Sequence, residues 1–370
     1  MDFIIAQVFE YARIYSQGKR NFLHPVAILW PLNLLWSKFK HDPICEGTAM
    51  TATNSRARER TTPGKHDLTG RHVMITGASS GIGRAAAVAV ANKGAVVFLL
   101  ARRDKELEDV VAEIRSTGGS AYGYQCDVTD SASVEQVVQT VLDEHGRVDM
   151  LVNNAGRSIR RAIHRSTDRL HDYERTMAVN YFGALRLTLA LLPQMRERKF
   201  GHIVNISSAG VQVATPRYSA YLASKAALDK FTEVAAVETM ADGVTFTTIH
   251  MPLVRTPMIA PTGHQGPAES PEWAAATIVR ALMERPKRID VPLGTIAEYG
   301  ALLAPKLRDR IMHRYYRALP DSPAAKGKQA PEPEPTAPAG PSTTRPRSTT
   351  RRLAGTALRR AARWVPGTHW

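Results

Sequence analysis

Cysteine is nearly absent: Cys45 and Cys126 are the two in 370 residues. A pair builds neither a disulfide framework nor a Cys-based metal quartet, so stapled extracellular scaffolds and cysteine-rich metal modules are excluded. A reducing, cytoplasmic setting is the expectation, with no bound metal. Long apolar runs are missing too. Val26 to Trp36 is apolar apart from Asn33, but it is eleven residues long and contains Pro31. That is well short of the ~20 residues that span a bilayer, so no transmembrane helix is expected. The N-terminus lacks the cationic start of a signal peptide: Asp2 stands there, and Gln7 and Glu10 interrupt the apolar stretch. Acids are in short supply. The chain has 34 Asp/Glu against 49 Lys/Arg, a formal charge of +15. Such a balance favours anionic partners: nucleic acid, a lipid surface or phosphorylated ligands. The excess is uneven, because Asp321 to Trp370 alone holds nine Lys/Arg against three acids.

Three regions follow from pattern and composition. Residues 1–66 read as an apolar, helical arm and linker. Phe3, Ile4, Val8, Phe9, Ile14 and Tyr15 suggest a short amphipathic helix, and a polar, basic linker runs from about Thr48 to Lys65. Two readings of the arm stay open: packing on the domain or a partner subunit, or a membrane-surface anchor through Trp30, Trp36, Lys38 and Lys40. Residues 67–319 alternate strand and helix patterns. Strands are expected at Val73–Thr76, Val96–Leu100, Ala121–Cys126, Val148–Val152, His202–Ile206, Val244–Ile249 and Arg288–Val291. Between the fourth and fifth lies one long helix, roughly Tyr173 to Glu197, that Pro193 bends or ends. Repeated βα units predict an α/β fold with a doubly wound parallel sheet. Ile296–Leu319 reads as one or two amphipathic helices broken near Pro305. Residues 320–370 form a Pro-rich basic tail that cannot bury a core and is expected to be disordered. Its end, with Leu353, Leu358 and Trp364 beside Arg352, Arg359 and Arg363, can form a basic amphipathic helix suited to an anionic lipid surface. A solvated tail without a dedicated ligand fits equally well. No nucleic-acid motif accompanies the charge, and no nucleic-acid partner is expected.

The chemistry concentrates in the middle region. Gly77, Gly81 and Gly83 follow the first strand and open a helix, together with Ser79, Ser80 and Ile82. A glycine loop there can cradle a pyrophosphate at a helix N-terminus. The second strand ends in Ala101-Arg102-Arg103, where NAD enzymes commonly place an acid on the ribose hydroxyl. Guanidinium groups suit a 2′-phosphate instead, so Arg102 and Arg103 favour NADP(H) over NAD(H). Asp127-Val128 follows the third strand and Asn153-Asn154-Ala155-Gly156 the fourth, both at strand ends where ligands bind in open α/β sheets. Asn180 sits inside the long helix, a poor place for asparagine unless its side chain has work to do. Ser207 and Ser208 close the fifth strand. Tyr221 and Lys225 stand four apart, so one helix face carries a phenol and an ammonium. A cation beside a tyrosine is what brings its pKa, near 10 when free, toward neutrality.

In this order and spacing, Thr76–Gly83, Asp127, Asn153–Gly156, Asn180, Ser208 and Tyr221–Lys225 resemble the short-chain dehydrogenase/reductase family over about half the chain. The resemblance implies a Rossmann-like fold with a seven-stranded sheet, a nicotinamide cofactor and a small-molecule substrate. It implies that Tyr221 is the acid/base, that Lys225 lowers its pKa and holds the nicotinamide ribose, that Ser208 rather than Ser207 orients the carbonyl, and that Asn180 supports a proton-relay water. It also implies a dimer or tetramer formed through the two long helices. One departure stands out. The usual Pro-Gly after the sixth strand is replaced by Met251-Pro252-Leu253-Val254, while Thr256 keeps the position expected to meet the nicotinamide amide. The run from Met251 to Thr262 is also similar to the reductase domain of bacterial long-chain fatty acyl-CoA reductases. The expected function is therefore NADPH-dependent reduction of a carbonyl, or the reverse oxidation, on a hydrophobic, lipid-like substrate. A general ketoreductase for 3-oxoacyl or steroid-like ketones is the alternative, and a non-catalytic, membrane-recruited nucleotide-binding scaffold is the alternative of another class.

Overall fold

The computed structural model describes residues 67–259, 268–319, 321, 322 and 325. The arm over 1–66 and nearly all of the tail beyond 319 lie outside the described residues. Seven strands alternate with helices: β1 His72–Thr76, β2 Val96–Ala101, β3 Ser120–Gln125, β4 Met150–Asn153, β5 Gly201–Ser208, β6 Val244–Met251 and β7 Arg288–Ile289. All pair in parallel in the order β3-β2-β1-β4-β5-β6-β7. The order reverses beside β1, and ligands bind outside the strands' carboxyl ends at such a switch point. The helices are α1 Gly81–Ala91, α2 Asp104–Ser116, α3 Ser131–His145, α4 Leu170–Met177, α5 Ala184–Glu197, α6 Ala209–Val213, α7 Ser219–Glu238, α8 Pro271–Glu284, α9 Pro292–Leu303 and α10 Pro305–Ala318.

The central strands β1, β2 and β4 read as apolar runs because both sheet faces are covered there. Successive side chains alternate. Val73 and Ile75 of β1 join Val97 and Leu99 under α1, α2 and α8, where Val90, Ile114 and Ile278 are buried. Met74, Phe98 and Leu100 point the other way, into a second core with Val141 of α3, Leu187 and Leu191 of α5, and Ala235 of α7. Local signals set the helix ends. The Asp130 carboxylate accepts from the Ala132 N–H at 3.1 Å to start α3, and Gly146, at φ 76°, closes it. The Ser270 hydroxyl accepts from the Trp273 N–H at 3.1 Å, and Pro271 supplies the first helical position of α8.

The expected single helix over 173–197 is instead two helices joined by a π-helical stretch, Ala178–Gly183. Asn180 sits in that stretch, and its side chain is fixed by the distant Arg157 backbone. Such bulges are rare and sit frequently at functional sites. Pro193 does not end the helix, since α5 continues to Glu197. Buried Leu191 and Met195 hold that end against the sheet, and the Gln194 amide donates to the Val148 carbonyl at 2.8 Å. Beyond residue 319, Asp321 pairs with Arg217 and with Arg165, and the Ser322 hydroxyl donates to the Arg160 carbonyl at 3.3 Å. No helix among the described residues is long and apolar enough to cross a membrane.

Candidate active site

The turn from β1 into α1 is possible only with glycine at its key positions. Gly77 and Gly81 have φ of 66° and 57°, a region that glycine enters at little cost. A Cβ on Gly83 would lie 2.2 Å from the Gly77 carbonyl oxygen. The Thr76 hydroxyl accepts from the Asn154 and Ala155 N–H groups, both at 2.9 Å. The Asn154 amide donates to the Thr76 carbonyl at 2.8 Å. Asn154 and Ala155 thus lock the loop after β4 onto the loop after β1. Ile82 packs against the first core. Ser80 stands at the α1 N-terminus with its hydroxyl making no cap bond, and no acid occupies the first turn. The Arg103 guanidinium reaches over this turn, 3.4 Å from the Ser79 hydroxyl and 3.3 Å from that of Ser80, while pairing with Glu106 at 2.9 Å.

Arg102 lies on the other side, toward Asp127. Burial pushes the Asp127 carboxyl up, but bonds from the Thr129 N–H (2.9 Å) and hydroxyl (2.8 Å), with the Arg102 charge, leave it below the usual range. Val128 is buried against Gly183, whose Cβ, if present, would come within 2.8 Å of it. In the loop after β6, where Pro-Gly is replaced, Leu253 and Arg255 pair with Glu269 through backbone bonds of 2.8 and 2.9 Å. That pairing sets Thr256 against the glycine loop, 3.2 Å from the place of a Gly81 Cβ. A dinucleotide fits these residues. Free N–H donors and serine hydroxyls at an acid-free helix start, with a guanidinium above, match a diphosphate.

Tyr221 and Lys225 of α7, Ser208 at the end of β5 and Asn180 of the π-helical stretch converge from three segments beside this loop. The Ser208 hydroxyl accepts from the Gly210 N–H at 3.1 Å, starting α6, and lies near enough to the Tyr221 phenol to pull its pKa down. Ser207, by contrast, has a buried hydroxyl with no partner. The Lys225 ammonium donates to the Ile206 carbonyl at 2.6 Å. The Asn180 carbonyl oxygen accepts from the Arg157 N–H at 2.7 Å, and its amide donates to the Arg157 carbonyl and the Ser224 hydroxyl, both at 2.9 Å. Gly156 keeps a gap open between two of these groups. A Cβ there would lie 3.2 Å from the Asn180 oxygen and 3.7 Å from the Lys225 nitrogen.

The electrostatics differ from the expectation that Lys225 lowers the Tyr221 pKa. Burial dominates and pushes the phenol up to about 12, with the Ser208 hydroxyl pulling it part of the way back. Burial also lowers Lys225 to about 8, against the opposing charge of Asp229. The ammonium is turned to a carbonyl rather than to the phenol. A cavity of about 430 Å³ between α6 and α7 is lined by Val211, Leu222, Ala223 and Ala226 and lies away from the Tyr221 side of α7.

A charged group that sequence reasoning missed lies behind the lysine. His250 of β6 is buried between two carboxylates, its Nε2 2.9 Å from Asp229 and its Nδ1 2.6 Å from Asp290. Burial disfavours the imidazolium, but the two carboxylates prevail and raise its pKa to about 9. Arg288 extends the network to Asp290 at 3.3 Å and Glu298 at 2.8 Å. The available signal was Asp229, one helical turn after Lys225. No group of three His, Cys, Asp or Glu among the described residues is arranged to hold a metal ion.

A parallel sheet reversing beside a glycine loop, with a tyrosine, lysine, serine and asparagine gathered at its carboxyl edge, defines a class of nicotinamide-linked oxidoreductases. The chain belongs to the short chain dehydrogenase family, whose model matches residues 71–266. It is accordingly an oxidoreductase whose fold binds a nicotinamide cofactor. It is 48% identical over 266 residues to an uncharacterized oxidoreductase of Mycobacterium tuberculosis (strain H37Rv), covering 70% of this chain and 78% of that protein. It is 49% identical over 267 residues to a protein of Acinetobacter baylyi named fatty acyl-CoA reductase, covering 72% and 90%. Among solved structures it is similar to a metagenomic short-chain oxidoreductase in complex with NADP, with a TM-score of 0.53, 30% identity and coverage of 60% of this chain and 97% of that one.

Proposed function

We propose that this protein is an NADPH-dependent reductase acting on a carbonyl of a hydrophobic, lipid-like substrate. The contact between Ser208 and Tyr221 carries the reading, because it presents two hydroxyls to one acceptor oxygen at the mouth of a dinucleotide loop. Ser208 holds the carbonyl oxygen, and Tyr221 passes it the phenolic proton. Lys225 and Asn180 stand behind the tyrosine, the first holding the nicotinamide ribose and the second a proton-relay water. The bound nicotinamide supplies the hydride. Gly77, Ser79, Ser80, Gly81 and Gly83 form the diphosphate cradle, with Thr256 at the nicotinamide end and Asp127 and Val128 at the adenine end. Arg103 over Ser79 and Ser80 supports the preference for the 2′-phosphate, as does the NADP-bound neighbour.

The substrate class draws support from the fatty acyl-CoA reductase relative. Exposed Leu189 of α5 and Val234 and Val237 of α7 support a homo-oligomer through those helices. The basic, apolar-containing termini support a cytoplasmic enzyme that touches a membrane surface.

The test is NADPH oxidation by the purified chain on long-chain acyl-CoAs and aldehydes, on 3-oxoacyl thioesters, and on simple or steroid-like ketones. Turnover confined to the first set supports the proposal, and turnover on ketones alone moves the protein to the general ketoreductases. The same assay with Tyr221→Phe should lose activity by roughly 10²-fold or more while NADPH still binds. Near wild-type turnover in that variant refutes the assigned acid.

A further inference from the structure

The hairpin of α9 and α10 carries an apolar face that the other described residues leave uncovered. On α9, Leu293, Ile296, Tyr299 and Leu302 are exposed, Leu293 by 73% and Leu302 by 76%. The one charge of that helix, Glu298, engages Arg288 at 2.8 Å and Gln212 at 3.0 Å. The outward face of α9 therefore has no charge at all. Leu307, Ile311 and Tyr315 form a second row at every fourth residue along α10, so the three share one helix face, and Leu303, 88% exposed, ends α9 just before it. At 100° per residue, Arg310 and Arg314 flank this row on one side and Arg308 on the other. The opposite face of α10 is the one that packs. Tyr316 lies over the Arg217 guanidinium at 4.6 Å and its hydroxyl meets His164 Nδ1 at 3.2 Å. An uncovered apolar patch of this extent on a folded domain marks a contact surface.

Charge decides what the surface contacts. Helix α10 has five Lys/Arg and one Asp. A second copy would set the same excess against it. The terminal segments offer no complement either, with nine Lys/Arg against five acids over 1–66 and nine against three over 321–370. At 14 residues, α10 is also too short to cross a bilayer. Apolar side chains bordered by guanidinium groups match the boundary between acyl chains and anionic headgroups, with the helix lying in the plane.

We infer that the α9–α10 hairpin docks this protein flat on an anionic lipid bilayer, seating Leu293, Ile296, Tyr299, Leu303, Leu307 and Ile311 below the headgroups and Arg310 and Arg314 among them. The hairpin is not a loose appendage. A Cβ on Gly294 would lie 2.2 Å from the Gln212 oxygen, so α9 is seated tightly on α6, the helix that Ser208 begins. Docking thus brings the Ser208 side of the domain close to the lipid, where a hydrophobic substrate resides. The docking itself stands independently of the reductase reading, and its test measures binding without turnover.

The experiment is flotation of the full-length chain with vesicles of phosphatidylcholine containing about one-third phosphatidylglycerol, and with pure phosphatidylcholine vesicles. The wild type should float with the anionic vesicles and not with the neutral ones. Leu303→Glu/Leu307→Glu/Ile311→Glu should reduce partitioning at least about tenfold. Arg310→Glu/Arg314→Glu, at two exposed positions that leave the apolar row untouched, should do the same and decides the matter if the triple variant fails to fold. Circular dichroism and the melting midpoint monitor folding in both. Three results overturn the proposal: wild-type partitioning by the charge-reversal variant, equal wild-type binding to neutral vesicles, or a change in oligomeric mass in place of lost flotation.

Discussion

Tyr221 and Lys225 stand one helical turn apart, and burial moves their pKa values in opposite directions, the phenol up to about 12 and the ammonium down to about 8. Burial therefore keeps Tyr221 protonated, the form that a carbonyl reductase needs at the start of its cycle. Behind them, His250 makes a statement about stability. Its folded pKa of about 9 lies above its ordinary value of 6.5. Protonation therefore favours the folded state, fully below about pH 6.5, and this contribution is lost as pH rises through 9. For so buried a group the effect is on the order of 3 kcal/mol. The melting midpoint should fall between pH 6.5 and 9, and His250→Gln should flatten that fall. An unchanged slope in the variant would remove His250 as its source. Arg103 and Arg102 divide differently. Arg103 sits over the loop serines and Arg102 faces Asp127, so Arg103→Ala should weaken NADPH roughly tenfold or more and leave NADH little changed. Titration of both cofactors checks this, and equal losses would sink the assignment to the 2′-phosphate.

At the scale of elements, Arg217 clasps α10, the last helix among the described residues, to the domain. Arg217, at φ 72°, pairs with Asp321, donates to the Leu319 carbonyl at 2.7 Å and lies under the Tyr316 ring. Removing the carboxylate leaves a nearly buried guanidinium without its counter-charge, which is costly. Asp321→Ala should therefore speed amide exchange in α10 by about tenfold or more while α7 stays protected. Equal protection of α10 in both proteins would show that the clasp contributes nothing. Asp321 had no signal in the chain, because its partners Arg165 and Arg217 are far away in sequence. The same reason hid the π-helical stretch, since 173–197 keeps a helical pattern and only the Arg157 backbone bonds to Asn180 reveal the bulge. The Asp229–His250–Asp290 group is likewise assembled from three separate segments. What was legible is what local chemistry dictates. Strands covered on both faces read as apolar runs, a turn at positive φ reads as glycine, and a helical pair reads from its spacing of four.

At the scale of the whole molecule, the charge and the core lie in different places. Residues 1–66 and 321–370 hold eighteen Lys/Arg against eight acids, so ten of the fifteen net charges fall outside 67–320. Among the described residues, the two apolar cores draw their buried residues from between Leu68 and Ile289, and Ala325 is the last described residue, itself buried. Residues 326–370 consist largely of Pro, Ala, Thr, Ser and Arg and hold nine Lys/Arg against two acids. Such a composition adds little burial and much charge. Ending the chain at Ala325 should therefore leave the melting midpoint within about 1 °C, because buried apolar area sets stability. Binding to anionic vesicles at low salt should weaken, because each basic residue near the surface adds attraction that salt screens. Flotation at rising ionic strength separates the two contributions. The truncated chain should bind less at low salt and respond less steeply to added salt, yet retain the share that the α9–α10 face supplies. A large drop in the melting midpoint would instead place part of the folded core in the tail.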